Sequence, residues 1–308
     1  MPFALLFCLA ALYSCAAERQ PGELFGPAEE DLLVVDGLLF VGKPLADIFV
    51  RRTVDPGQPY NRQRASVNDA RVVVRQGDQV FAYSADPDSA GRYLPPPWAP
   101  LVAPETLYRV EVDAGGKQLR AQTLTPPAIA IREAVLLDES TLDEIRRFRL
   151  FSQIGDSVYS APENQVDYLE GLVEARINPV DVPAFQIGVF SLDPDSDFVI
   201  DADFLEEDDY EEFEREGSSP PLEFSEGNVR MPWFVIAFSG RYLIRVNALD
   251  QNWYDYIRTS PDEDGGPNGG GLAGDNFDRP QFNVEGGIGL FGSAAVDSLG
   301  FFVLPTAE

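Results

Sequence analysis

The spacing of the apolar residues from Leu32 onward is what most limits the folds open to this chain. They fall in short β-branched or aromatic runs, each soon broken by Gly, Pro, Asn or Asp; the chain holds 26 glycines and 25 prolines. Runs this short suit strands rather than helices. In the first half, strands are expected at Leu32 to Phe40, Asp47 to Thr53, Ala70 to Arg75, Gln79 to Tyr83 and Leu107 to Val112. Asp113-Ala114-Gly115-Gly116 then turns the chain into Lys117 to Thr123. Strands at this spacing, with no helical pattern between them, predict an antiparallel sandwich.

Thr125-Pro126-Pro127 closes that half, because consecutive prolines cannot continue a sheet ladder. A boundary there gives a β-sandwich domain over 31–127 and a second β-rich domain over 128–308. In the second, Arg149 to Ile154, Phe185 to Phe190, Trp233 to Phe238 and Tyr242 to Ala248 are the clearest strands, with Leu299 to Leu304 near the end. One or two short helices are expected as well. Ser140 is placed to cap Thr141 to Ile145, with acids early and Arg146 and Arg147 late. Asp250 is placed to cap Gln251 to Ile257. Two loops, Asp193 to Gly217 and Ser260 to Asp278, are too polar to bury and are expected to be mobile or ion-bound.

The N-terminus carries a different signal. Phe3 to Ala17 is an uncharged apolar run that Glu18 and Arg19 end abruptly. It is shorter than the roughly 20 residues needed to span a bilayer, but suits the apolar core of an export signal. Its end, Leu12-Tyr13-Ser14-Cys15, resembles a bacterial lipobox: an aliphatic residue, a small residue before the cut, then Cys. Tyr13 is bulkier than usual for its position, and no Lys or Arg precedes the run. On this reading 1–14 is a lipoprotein signal peptide, Cys15 is the lipidated residue and 15–30 is a tether. Cys8 and Cys15 are the chain's two cysteines, so the mature domains are expected to hold no disulfide and no Cys-based metal site.

The formal charge is −28, which repels nucleic acid and excludes it as an expected partner. The 23 cations comprise two lysines, Lys43 and Lys117, and otherwise arginines. An acidic, Lys-poor chain suits a saline habitat, where salt screens carboxylate repulsion; a genome rich in Arg codons accounts for it equally well. The sequence has no His, which removes the usual general base and the Ser-His-Asp and Cys-His systems. No catalytic constellation is recognisable, and the chain is expected not to be an enzyme.

Two motifs need separate treatment. Gly287-Ile288-Gly289-Leu290-Phe291-Gly292 matches the dinucleotide fingerprint in letters, but no helix, second strand and acidic ribose ligand can follow it. Its glycines are expected to permit close backbone approach, tight bends or bulges in the last sheet. Asp193-Pro194-Asp195-Ser196-Asp197 has the alternating carboxylates of a calcium loop. Phe198 stands where an EF-hand needs Gly, and Phe204 where it needs Glu. A solvated acidic loop is the plainer reading. Asp193, Asp195 and Asp197 remain candidate ligands for calcium, as do Asp275 and Asp278; no other cofactor is expected. A carboxylate-only hydrolase needs two acids across one cleft, and among 51 acidic residues the sequence selects no pair.

Several stretches, taken in order, resemble the domain-of-unknown-function family forty-two forty-nine, a group of Bacteroidota-type lipoproteins. They are Val34-Val35-Asp36-Gly37, Val67 to Val74, Gly91-Arg92-Tyr93, Glu105 to Val110, and Ala121-Gln122-Thr123 followed by Pro126. Near the end come Trp253-Tyr254-Asp255-Tyr256 and Asn283 to Gly292. Asp193 to Pro221 matches no part of the pattern. The resemblance implies an immunoglobulin-like or carboxypeptidase-regulatory-like sandwich followed by a second β-rich domain. It also implies an outer-membrane setting, lipid-anchored, in the company of TonB-dependent transporters. The function expected is a non-enzymatic accessory or binding component for nutrient uptake. The alternative is a surface glycan-binding module, or a hydrolase that depends on carboxylates or calcium. The resemblance supplies no catalytic residue.

Overall fold

The computed structural model describes residues 31–54, 59–200, 213–223, 227–230, 236–260 and 280–306. Cys15 and Trp233 to Val235 lie outside these residues, as do Asp275 and Asp278. The described chain is mainly β. Its first half runs β1 (Leu33–Phe40), β2 (Ile48–Arg52), β3 (Arg71–Gln76), β4 (Gln79–Ala82), β5 (Ser84–Ala85), β6 (Arg92–Leu94), β7 (Leu107–Ala114) and β8 (Lys117–Leu124). Its second half runs β9 (Ile131–Leu137), β10 (Glu144–Arg147), β11 (Gln165–Val166), β12 (Leu172–Ile177), β13 (Phe185–Ser191), β14 (Glu216–Ser218), β15 (Asn228–Arg230), β16 (Gly240–Leu249) and β17 (Ile288–Val303).

One nine-stranded sheet runs through both halves, in the order β14-β13-β16-β17-β1-β2-β6-β5, with β11 also on β17. Two four-stranded sheets, β4-β3-β7-β8 and β10-β9-β12-β15, supply the opposing layers. A first core joins Val35, Ile48 and Val50 of the large sheet to Val72, Val110 and Leu119 of the first small one. A second joins Ile187, Ile244 and Phe301 to Ala134, Leu136 and Ala175. The alternation in β1, with Leu33, Val35 and Leu39 buried, is the period-two pattern that a half-buried strand requires. The cores part between Ala121 and Ile129, around Pro126-Pro127. The large sheet does not part there: Val284 and Phe291, from the far end of the chain, belong to the first core.

The junction is the pairing of β1 with β17. It is parallel, Val34 facing Ile288 and Phe40 facing Ala294. This pairing explains the glycine-rich motif. Gly289 has φ +123°, and a Cβ there would run into the Val35 carbonyl oxygen. The motif is strand, as the close-approach reading expects.

Two expectations are corrected. Thr141 to Ile145 is not a Ser140-capped helix but the turn into β10 and its first residues. Asp138 Oδ1 accepts from the Ser140 and Thr141 amides, each at 2.9 Å, and from Ser140 Oγ at 2.6 Å. The residues that suited a cap therefore hold a hairpin turn, and β10 pairs antiparallel with β9. Nor is Arg149 to Ile154 a strand: Phe151–Ile154 is a short helix leading into a 3₁₀ turn, Gly155–Tyr159. Phe151, Val158 and Tyr159 settle over Gly300, where any Cβ would clash with all three. Tertiary packing overrides local strand propensity there. The Asp250 expectation holds: Gln251–Thr259 is helical, and the Asp250 side chain accepts from Trp253 N at 2.8 Å.

Candidate functional site

β8 is the last strand of its small sheet, so one row of its backbone groups must find partners outside the ladder. The Asp250-capped helix and the segment before β17 supply them. Asn252 Nδ2 donates to Gln122 O at 2.8 Å, and Asn283 Nδ2 to the same oxygen at 3.2 Å. Arg120 and Glu285 exchange backbone hydrogen bonds of 3.1 and 2.8 Å. Asn283 also clasps Phe291, donating to its carbonyl at 2.8 Å and accepting from its amide at 2.9 Å.

Beneath these caps sits a buried polar node. Thr123 Oγ1 donates to Asp250 Oδ2, Ser293 Oγ lies 2.7 Å from Thr123 Oγ1, and the Asp250 amide donates to Ser293 O at 2.9 Å. All three residues are buried. Burial pushes the Asp250 carboxyl above the ordinary carboxylate range, and the bonds from Thr123, Trp253 and Ser293 pull against that shift. The node ties the first small sheet to the helix cap and to β17.

A groove with two neighbouring chambers opens over this junction, and Gln122 and Asn252 line both. The first has a volume of about 510 Å³ and is lined by Arg109, Glu111, Arg120, Asn283 and Glu285 among others. The second, about 660 Å³, has walls that include Glu105, Leu107, Leu124, Pro126, Asp181 and Val182. These volumes lie in the range of small-ligand sites. The two ends differ in charge. Arg109 and Arg120 have no carboxylate within 4 Å among the described residues, whereas Glu111 is held by Arg75 at 3.1 Å. No Arg or Lys is among the described residues lining the second chamber. Glu105, at its rim, has φ +48°, a conformation uncommon for a residue with a side chain. Leu124 is 59% exposed.

The predicted calcium loop is placed elsewhere, beside β13. Its Asp193 carboxylate lies 2.5 Å from Arg241 Nη2 and takes the Arg241 amide at 2.7 Å. These contacts, the Arg241 hydrogen bond above all, hold its carboxyl below the usual range. The Arg215 guanidinium occupies the turn of the loop, 2.7 Å from Asp193 O, 3.0 Å from Ser196 Oγ and 3.8 Å from the centre of the Phe238 ring. Asp197 contributes its backbone carbonyl to Ser239 N at 2.7 Å. The structure thus does not draw the Asp193, Asp195 and Asp197 carboxylates together. Among the described residues no three His, Cys, Asp or Glu side chains are grouped to hold a metal ion.

Sequence reasoning singled out none of Arg109, Arg120, Asn252 or Asn283 as site residues. A signal was present, since four stretches that carry the resemblance meet here: Glu105 to Val110, Ala121 to Thr123, the Trp253 helix and Asn283 to Gly292. The model of the family described as "Domain of unknown function (DUF4249)" matches residues 23–299. The chain belongs to that family. The match takes in every groove residue named above, so the groove of this DUF4249 member is built from the family domain itself. No curated protein matches the chain.

Proposed function

We propose that this protein is a lipid-anchored, non-enzymatic binding component of the bacterial outer membrane. It would serve nutrient uptake beside a TonB-dependent transporter, with the β8 groove as its contact for ligand. The observation that carries the binding part is the groove, whose two chambers of about 510 and 660 Å³ share Gln122 and Asn252. The anchor rests on Leu12-Tyr13-Ser14-Cys15. Among the described residues no helix is long and apolar enough to cross a membrane, so a lipid on Cys15 would supply the attachment. A single acyl chain binds a membrane only marginally, whereas two or more chains on one residue hold it stably.

Membrane fractionation tests the anchor. Cys15→Ser moves the protein from the membrane pellet to the soluble fraction; retention in the pellet would falsify the anchor. Affinity purification of the acylated protein from gently solubilised membranes tests the accessory role. Co-purification of a transporter supports it, and purification alone counts against it.

A further inference from the structure

The walls of the groove differ from end to end in a way that selects a ligand. On the outer face of the first small sheet the register sets Glu111 opposite Arg120, Arg109 opposite Gln122 and Leu107 opposite Leu124. One more step brings Glu105 level with Pro126, whose carbonyl accepts the Glu105 amide at 3.3 Å. The face therefore runs from guanidinium through amide and leucine to carboxylate. Each two-residue step is about 6.8 Å, so the charged ends stand on the order of 20 Å apart. An extended peptide covers that span in about five or six residues.

The ends are polar in opposite senses. Arg109 and Arg120 form the cationic end, with Glu111 already matched by Arg75 at 3.1 Å. Glu285, the other acid there, meets Arg120 through backbone hydrogen bonds alone and keeps its charge, and Arg120 Nη2 donates to Gln118 Oε1 at 2.9 Å. The cationic excess comes from Arg109 and Arg120 together with Arg75, which faces Arg109 across the sheet. The opposite chamber offers Glu105 and Asp181 with no lining cation among the described residues, and its walls are Leu, Val and Pro. Midway, the Gln122 side-chain amide is exposed and suits a peptide backbone. The described residues lining the two chambers are aliphatic, polar and charged, with no Trp, Tyr or Phe among them.

We infer, on the basis of the binding role proposed above, that the groove takes a short peptide with free termini. Its C-terminal carboxylate lies at Arg109 and Arg120, its apolar side chains on Leu107, Leu124 and Val182, and its N-terminal ammonium at Glu105 and Asp181. The guanidinium pair gives the carboxylate charge-assisted, directional hydrogen bonds. In a chain of net charge −28, such a local cationic pair fixes the direction in which a zwitterionic ligand lies.

The test uses the acylated full chain in detergent and a pool of pentapeptides with Lys first, Ala, Val or Leu in the middle positions, and Ala last. Depletion of the pool is followed by mass spectrometry, and the most depleted peptide is titrated by calorimetry as free acid and as C-terminal amide. The free acid is expected to bind about tenfold or more tightly than the amide, as befits hydrogen bonds to a charged group. The paired change Arg109→Gln and Arg120→Gln removes that preference with little change in melting temperature, since both side chains face solvent. Equal binding of acid and amide overturns the inference. So does an undepleted pool, or competition from a neutral oligosaccharide in place of peptide. Fractionation of Cys15→Ser, which needs no ligand, shows separately whether the anchoring role fails.

Discussion

Two aspartates show how one side chain acquires opposite meanings. Asp250 is buried between Thr123 and Ser293, and burial raises its carboxyl above the ordinary value. The folded state then holds its proton more tightly than the unfolded chain, so stability falls as pH rises from the ordinary value through the raised one. Asp138 is only partly covered, at a surface turn, and the Ser140 and Thr141 donors bring it down to about 2. Its contribution is complete above the ordinary value and is lost as pH falls towards about 2. Urea unfolding of wild type and Asp250→Asn across acid and neutral pH reads the first effect, because the other carboxylates cancel in the difference. The Asn variant should gain on the wild type as pH rises; a constant difference rejects the assignment. Asp138→Asn should show the reverse slope, losing ground as pH rises from about 2.

The second small sheet carries an ion-pair ladder on its outer face. Glu174, buried on β12, takes Arg176 at 3.0 Å and Arg230 at 2.9 Å. Arg176 and Arg147 each reach Glu133 at 3.1 Å, and Arg147 reaches Glu144 at 3.0 Å. The rungs are unequal. Glu174→Ala removes two charge-assisted bonds from a buried carboxylate and is expected to cost about 1.5–3 kcal/mol. Glu144→Ala acts in solvent and is expected to shift the midpoint much less, because an exposed ion pair is screened by water and salt. Denaturant midpoints measured at low and high salt separate them; equal losses would show that burial of Glu174 carries no weight. This ladder also explains why Glu144 to Arg147 is strand. Their partners, Glu133 and Arg176, stand on other strands, so the local acid-then-Arg pattern resembles a helix while the long-range pairing requires an extended chain.

For the molecule as a whole, closure matters most. β1 and β17 lie side by side, so the two ends of the described chain are held in one sheet between two cores. No cysteine follows Cys15 in the sequence, so no disulfide joins the described residues, and the parallel pairing does the joining through backbone hydrogen bonds and packing. The net charge of −28 works against compactness. If the acidity is a saline adaptation, the melting temperature should rise steeply between low and molar salt, as screening shortens the reach of repulsion from about 30 Å to about 3 Å. A flat or falling response removes that reading and leaves Arg-rich codon usage as the account of the scarcity of lysine.

Much of this molecule was legible along the chain. The strands β1, β3, β7, β8, β13 and β16, the Asp250-capped helix and the place of the glycine motif in the last sheet follow from patterns within about ten residues, and the family from several such stretches taken in order. Alternation, capping and turn chemistry act over that range. The sequence by itself therefore determined the β class and most strand positions. It could not determine that β1 closes on β17 in parallel, because parallel pairing leaves no local mark in either strand. It could not show that Arg215 fills the turn of the acidic loop, nor that Arg109, Gln122, Asn252 and Asn283 share one groove. Those arrangements depend on contacts between distant segments. Only the shared nine-stranded sheet and its two opposing layers decided them, by setting which distant segments lie side by side; for the groove, that fixed which partners satisfy the edge of β8.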